Sequence, residues 1–227
     1  MGEKLLYWGS GSIPCWKPMI VLAEKKIEYT SKQISFSEKG HKGPDVMALN
    51  PRGQVPTFKD GDVVVCESTA ICLYLESTYK NQGLILMPKD SKQRSKVLQK
   101  GFEAAENIMD KQKQLIMYFR MTKEEDRKEE KIKELQDKLK DELNIWEKYL
   151  GECGTEFLGG AEFTMADVFF FPFVAWQWRM SLDLGKFPYL KAYFERVKER
   201  PSIKATWPPH WNEGDAQPAN WAFMKNI

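Results

Sequence analysis

Ser12-Ile13-Pro14-Cys15, near the start of the chain, has the spacing of a dithiol redox loop whose first sulfur has been replaced by oxygen. In a Cys-x-x-Cys loop at a strand-to-helix junction, the first cysteine is the activated nucleophile. A serine at that position cannot exchange disulfides. It can donate a hydrogen bond to a sulfur that belongs to another molecule. The flanking residues supply a strand, a loop and a helix. Leu5-Leu6-Tyr7-Trp8 is a short apolar run, Gly9-Ser10-Gly11-Ser12 breaks it, and Ile20, Val21 and Ala23 to Lys26 resume at helical spacing as an amphipathic helix. A helix N-terminus carries unpaired donors and a partial positive charge, and so favours an anion. The anion that this loop suits is a thiolate. The plainer reading of Gly-Ser-Gly-Ser is a flexible turn.

Bulk properties bound the other possibilities. The 227 residues allow one large domain or two small ones, with 42% hydrophobic and 29% charged residues, as in ordinary globular chains. A net charge of +2, from 34 basic and 32 acidic residues, gives no reason to expect nucleic acid or an anionic membrane as partner. No apolar run approaches bilayer length and the first residues lack a signal-peptide pattern. Cys15, Cys66, Cys72 and Cys153 have neither metal-ligand spacing nor a disulfide framework, and with only two histidines, His41 and His210, no metal site is expected. A reducing, cytoplasmic setting fits this cysteine usage.

The elements that must position the Ser12 loop change in type along the chain. Ile27–Phe36 reads as a second strand, Ser37–Gly43 as a polar loop, and Pro44–Leu49 as a short helix closed by the turn residues Asn50-Pro51-Arg52-Gly53. Val55–Lys59 and Val63–Cys66 flank Asp60-Gly61-Asp62, a strong hairpin signal, and a helix follows over Thr69–Tyr79. The pattern is βαβ followed by ββα with a mixed sheet over residues 1–80. Asn81–Asp90 reads as a linker, and 91–227 as all-helical. Leucines and Trp146 recurring at three or four residues predict one long helix over about 124–150. The charge run Lys123–Lys133 reads as its solvated start. Thr164 and Asp167 form a capping signal, with Phe163 as staple, for a helix over Val168–Met180 that is apolar nearly all round and so central to a bundle. Tyr189–Lys198 is a shorter helix. The Pro- and Trp-rich tail from Pro201 to Ile227, with Trp207, Trp211 and Trp221, is expected to pack over the bundle.

Taken together, these features resemble the cytosolic glutathione transferases: a thioredoxin-like N-terminal domain, a linker, and an all-helical C-terminal bundle domain. Asn50-Pro51-x-Gly53-x-Val55-Pro56 looks like the family's loop before strand three, Glu67-Ser68-x-Ala70-Ile71 like its glutathione-binding turn, and Thr164-x-Ala166-Asp167 like its helix cap. The Ser-x-Pro-Cys loop and the closing Arg200-Pro201-Ser202-Ile203-Lys204-Ala205-x-Trp207-Pro208-Pro209-His210-Trp211 look most like the rho class of aquatic animals. By that resemblance Ser12 is the activating serine, with Ser10 or Tyr7 as alternatives. His41 and Lys42 meet the glycine carboxylate of glutathione, Val55 pairs with the cysteinyl backbone beside a cis Pro56, and Glu67 and Ser68, joined by Gln54, hold the γ-glutamyl end. The implied function is conjugation of the thiolate of reduced glutathione, a co-substrate with no separate cofactor, to small hydrophobic electrophiles in detoxification. The implied assembly is a homodimer. The alternatives are a Cys15-dependent thiol oxidoreductase and a non-enzymatic ligand carrier of the same fold.

The residues support this chemistry in their own right. Glutathione has two carboxylates and one amine, against which the sequence sets a carboxylate (Glu67), a helix start (Ser68) and a basic loop (His41, Lys42). Each has a plainer role open to it: surface carboxylate, N-cap, solvated loop. Lowering a thiol pKa from about 8.5 to about 6.5 needs roughly 2.7 kcal/mol in favour of the anion. One hydrogen bond to the charged sulfur gives about 1.5–3 kcal/mol and a helix N-terminus about 0.3–1 kcal/mol, so Ser12 and its helix suffice. The electrophile is expected against Met109, Met117, Tyr118 or Trp176, where flexible methionines suit varied shapes, although ordinary core packing accounts for such residues too.

Overall fold

The structure, a computed structural model, describes residues 2–212, 224 and 227. It divides into two compact units, one running to Leu86 and including the segment from Arg200, the other spanning Met87–Glu199 and including Met224 and Ile227.

The first unit is built on four strands, β1 (Lys4–Gly9), β2 (Thr30–Ile34), β3 (Thr57–Asp60) and β4 (Val63–Cys66), in the order β2-β1-β3-β4. β1 is parallel to β2 and antiparallel to β3, and β3 is antiparallel to β4. This is the mixed sheet that the alternating pattern predicts. In β1, Leu6 and Trp8 are buried while Leu5 and Tyr7 are half-buried, the period-two signature of a strand. The hairpin turns at Gly61, whose φ of +61° suits a residue without a side chain. Three helices complete the domain: α1 (Ile13–Glu24), α2 (Pro44–Leu49) and α3 (Ser68–Thr78). α1 packs on α3, and Leu6, Ile20, Leu22, Phe58, Ile71 and Leu75 are fully buried.

Two expectations are corrected here. α1 is buried nearly all round, including Trp16, Lys17 and Met19, so it is not amphipathic. The reason is the closing segment. Expected to pack over the helical bundle, residues 200–212 belong instead to the first unit, where the short helix Pro201–Thr206 lies on α1. Trp16 Nε1 donates to Thr206 Oγ1 at 2.9 Å, its ring meets those of Trp207 and Trp211 edge-on, and Glu24 accepts from Arg200 at 2.9 and 3.0 Å. Trp221 lies outside the described residues.

The second unit is all helical. α4 (Ser91–Glu103) runs through a π turn at Ala104–Ile108 into α5 (Met109–Met121), and α6 (Glu129–Glu152), α7 (Met165–Arg179) and α8 (Pro188–Lys198) follow; the Pro201–Thr206 helix of the first unit is α9. α6 starts later than the expected 124, because the charged run holds a separate 3-10 turn at Glu124–Asp126. α7 is buried on every side as expected. The Phe170 ring stacks 4.0 Å from Trp146 of α6, and Asp167 is fully enclosed. The Asp167 carboxylate accepts from Thr164 N at 2.8 Å, Leu158 N at 2.9 Å and Tyr193 Oη at 3.2 Å, so one residue caps α7 and ties it to a loop and to α8. Among the described residues no helix is long and apolar enough to cross a membrane.

Candidate functional site

Strand directions bring the separate sequence motifs to one place. β1 and β2 are parallel, so their C-terminal ends coincide, with Gly9 opposite Ile34. β3 runs the other way, so its start lies there too, with Thr57 opposite Tyr7. β4 reverses again and ends there, with Cys66 opposite Thr57. One edge of the sheet therefore collects the loop at 10–12, the loop at 35–42, Gln54-Val55-Pro56, and Glu67-Ser68. α1 and α3 both start at that edge and pack together, so two positive helix ends are placed near each other.

Ser12 is the N-cap of α1, with φ −78° and ψ 111°, and its Oγ accepts from Cys15 N at 3.4 Å. A hydroxyl that accepts through a lone pair still has its own hydrogen to give. The first turn offers few other donors, because Pro14 has no N–H and that of Cys15 is taken. The loop closes with Ser12 N on the Gly9 carbonyl at 3.2 Å. Ser10 is engaged elsewhere: its Oγ is 2.6 Å from Nδ1 of His210. Tyr7 sits within β1 between β2 and β3, and burial, then Asp45 and Glu3, raise its phenol pKa above the usual value. Cys15 is fully buried, and loss of solvent pushes its thiol up to about 11, against weaker opposing hydrogen bonds from Ser12 and Gly9. It remains a protonated core thiol at neutral pH, which argues against a Cys15-dependent oxidoreductase.

At the other end of the same edge, Glu67 is the exposed residue that leads into α3, and its backbone is strained, with φ 71° and ψ 118°. The expected N-cap role thus falls to Glu67, and Ser68 becomes the first helical residue. Among the described residues the Glu67 side chain makes no cap hydrogen bond to α3, whose N-terminus favours an anion. The Val55–Pro56 peptide is cis. Gln54 is exposed, and its carbonyl accepts from Asn50 Nδ2 at 3.0 Å and Thr57 Oγ1 at 2.9 Å. His41 and Lys42 lie in the 3-10 turn Gly40–Lys42. The Lys42 ammonium donates to the Arg52 carbonyl at 2.8 Å, which joins this turn to the Asn50–Pro56 loop, while His41 Nδ1 is buried without a partner among the described residues.

The acceptor candidates all lie in the second unit. Met109 opens α5 and is half-buried, Met117 is exposed further along it, and Trp176 is half-buried on α7. The hydroxyl of Tyr118 accepts from Lys128 N at 2.8 Å, which fixes the turn between α5 and α6. Among the described residues no cluster of histidine, cysteine or carboxylate side chains could hold a metal ion.

Sequence reasoning missed two residues. Asn50 is buried and knits the loop before β3, also donating to Thr57 Oγ1 at 3.3 Å and accepting from Arg52 N at 3.1 Å. An Asn directly before Pro-Arg-Gly is a local signal for such a role. His210 meets Ser10 across 200 residues, and no local pattern announces that contact.

Known proteins repeat this arrangement. The family models described as the glutathione S-transferase N-terminal and C-terminal domains match residues 12–78 and 109–206. The chain is 44% identical over 226 residues to glutathione S-transferase A of Pleuronectes platessa, covering 99% of both chains. It superposes with a TM-score of 0.91 and 46% identity, over the whole of both chains, on the crystal structure of a glutathione S-transferase from the Antarctic clam Laternula elliptica. Poplar glutathione transferase F1 matches more distantly, with a TM-score of 0.76 and 26% identity over 91% of this chain and 97% of that one. Two matched domains in the right order, with full-length identity to named relatives, agree with the thioredoxin-like sheet and the helical unit: the chain belongs to the glutathione S-transferase family.

Proposed function

We propose that the protein binds reduced glutathione at the sheet edge described above and conjugates it, through its thiolate sulfur, to small hydrophobic electrophiles. The observation that carries this reading is the convergence of the Ser12 hydroxyl, the start of α1 and the start of α3 at one end of a single sheet. A tripeptide with a thiol in the middle and carboxylates at both ends needs donors spaced in that way. The γ-glutamyl carboxylate belongs at the first turn of α3, with Ser68 beside it and Glu67 facing the amine. The cysteinyl backbone belongs along Val55, next to Gln54 and Pro56, and the glycine carboxylate belongs beside His41 and Lys42.

Ser12 then donates a hydrogen bond to the sulfur. The thiol proton leaves to solvent, Ser12 stays neutral, and the anion is favoured by one charge-assisted hydrogen bond together with the field of α1. The sulfur forms a bond to the electrophilic carbon as the leaving group departs with its electron pair. No other oxidant or base is required. The electrophile's place is on the helical unit, against Met109, Met117 and Trp176. Tyr118 contributes its ring, since its hydroxyl already serves Lys128. Detoxification, a cytoplasmic setting, a homodimer and the rho class complete the proposal. The Ser-x-Pro-Cys loop and the closing Trp-Pro-Pro-His-Trp segment support the class assignment.

The test is conjugation of glutathione to chlorodinitrobenzene, paired with ultraviolet titration of the bound thiol. Turnover, with a thiol pKa below that of free glutathione, is expected. Binding with an unshifted thiol and no product would favour the ligand-carrier reading instead.

A further inference from the structure

The β1–α1 junction has a glycine at the end of the strand, Gly9, and another in the loop, Gly11, and glycine leaves the backbone conformationally free. Its neighbours supply the missing restraint. The Phe36 ring covers Gly9 so closely that a side-chain carbon there would sit 2.2 Å from the ring. The 3-10 turn Pro209–Asn212 brings His210 onto the next two residues. Its Nδ1 is 2.6 Å from Ser10 Oγ. A carbon added at Gly11, which has φ +75°, would meet His210 Cε1 at 2.7 Å and Trp211 Nε1 at 3.3 Å. The turn has its own anchorage. Trp211 is buried against Trp16 and Trp207, and Trp16 is hydrogen-bonded to Thr206. The turn that holds the loop is thus itself fastened to α1 through Trp16.

We infer that His210 is a positioning residue of the thiolate site: it holds Ser10 by its Nδ1 and packs over Gly11, and so keeps the Ser12 hydroxyl aimed at the sulfur. This rests on reading the loop as the sulfur-binding element. It also divides the labour between the serines, with Ser10 bound to the tail and Ser12 left for the ligand. Either partner of the Ser10–His210 bond can be the donor, and the loop is fixed in both cases.

The experiment uses the full chain and measures kcat, the KM for glutathione and the pKa of the bound thiol. The variants are His210→Ala, His210→Asn, His210→Gln, Ser10→Ala and the double variant H210A/S10A. His210→Ala is expected to lower kcat about threefold to tenfold, the scale of one hydrogen bond, and to raise the pKa of the bound thiol. The KM for glutathione, set by the residues around Val55 and Ser68, should change by less than about twofold. Asparagine carries a polar atom at the same branch point as Nδ1, so His210→Asn should recover most of the activity, whereas His210→Gln, one carbon longer, should not. Ser10→Ala, which removes the hydrogen bond but leaves the packing over Gly11, should change kcat and the thiol pKa in the same direction and by no more than His210→Ala, and the double variant should be no worse than His210→Ala alone. The inference is overturned if His210→Ala leaves kcat and the thiol pKa unchanged, if it lowers only the melting temperature, or if the two single effects add in full. A wild-type protein that fails to lower the thiol pKa removes the sulfur-binding reading itself, a result visible before any variant is made.

Discussion

Tyr7, Ser10 and Ser12 offer three hydroxyls on one short stretch, and their surroundings set them apart. The phenol of Tyr7 is raised above its usual pKa by burial and two carboxylates, so it does not ionise to serve as a base. Ser10 is engaged by His210. Ser12 caps α1 by accepting a weak bond, and keeps its hydrogen. Ser12→Ala is therefore expected to lower turnover at least about tenfold and to raise the apparent pKa of bound glutathione, because a hydrogen bond to the charged sulfur contributes about 1.5–3 kcal/mol. Steady-state kinetics across pH would check this, and a silent Ser12→Ala beside a crippling Tyr7→Phe would move the role to Tyr7. Ser12 could be found from sequence because its signal is local: a serine three residues before a cysteine, at the start of a helix. The tie between Ser10 and His210 could not, because nothing in either neighbourhood specifies the other.

Within single elements, two helix ends break simple rules in instructive ways. α7 ends in a pair of bonds, Leu182 N to Gln177 O at 3.0 Å and Ser181 N to Trp178 O at 3.0 Å, with Ser181 in the left-handed region at φ 71°. Glycine usually fills that position. Ser181→Gly is expected to stabilise the protein by about 0.5–1 kcal/mol by relieving backbone strain, with a melting temperature higher by a few degrees as the readout. At the other end of α7, burial pushes the Asp167 carboxyl up to about 6 from its usual 3.8, although four hydrogen bonds pull the other way. The folded state therefore binds more protons than the unfolded state between those values. Stability from this group falls as pH rises from about 4 to about 6, and the burial cost is fully felt above that. Comparing denaturant unfolding near pH 5 and pH 7, wild type should gain about 1 kcal/mol at the lower pH relative to Asp167→Asn. The capping pair was legible because Thr-x-x-Asp is a local code. The left-handed serine was not, because its conformation is imposed by the turn toward α8.

Across the whole chain, the segment from Arg200 to Asn212 converts α1 from a helix with one buried face into one buried on all sides. Its polar fastening is Glu24, whose Oε1 accepts two bonds from Arg200 and one from Ser202. Glu24→Ala leaves a half-buried guanidinium without its carboxylate, and is expected to cost about 2 kcal/mol of stability. It should also increase solvent access to Trp16, read by fluorescence quenching. A variant with unchanged melting temperature and quenching would show that the aromatic contacts alone hold the segment in place.

The amino-acid sequence by itself determined the strand and helix pattern, the Asp-Gly hairpin, the cap of α7 and the serine at a helix start, because each is written in residues that are neighbours along the chain. Only the tertiary structure decided that four loops share one sheet edge, that Glu67 leads into α3 without a cap hydrogen bond from its side chain, that Cys15 is sealed in the core, and that residues 200–212 guard α1 and the Ser12 loop. Those outcomes depend on strand direction and on burial by distant residues, and burial is a property of the packed surface, which no window of sequence contains.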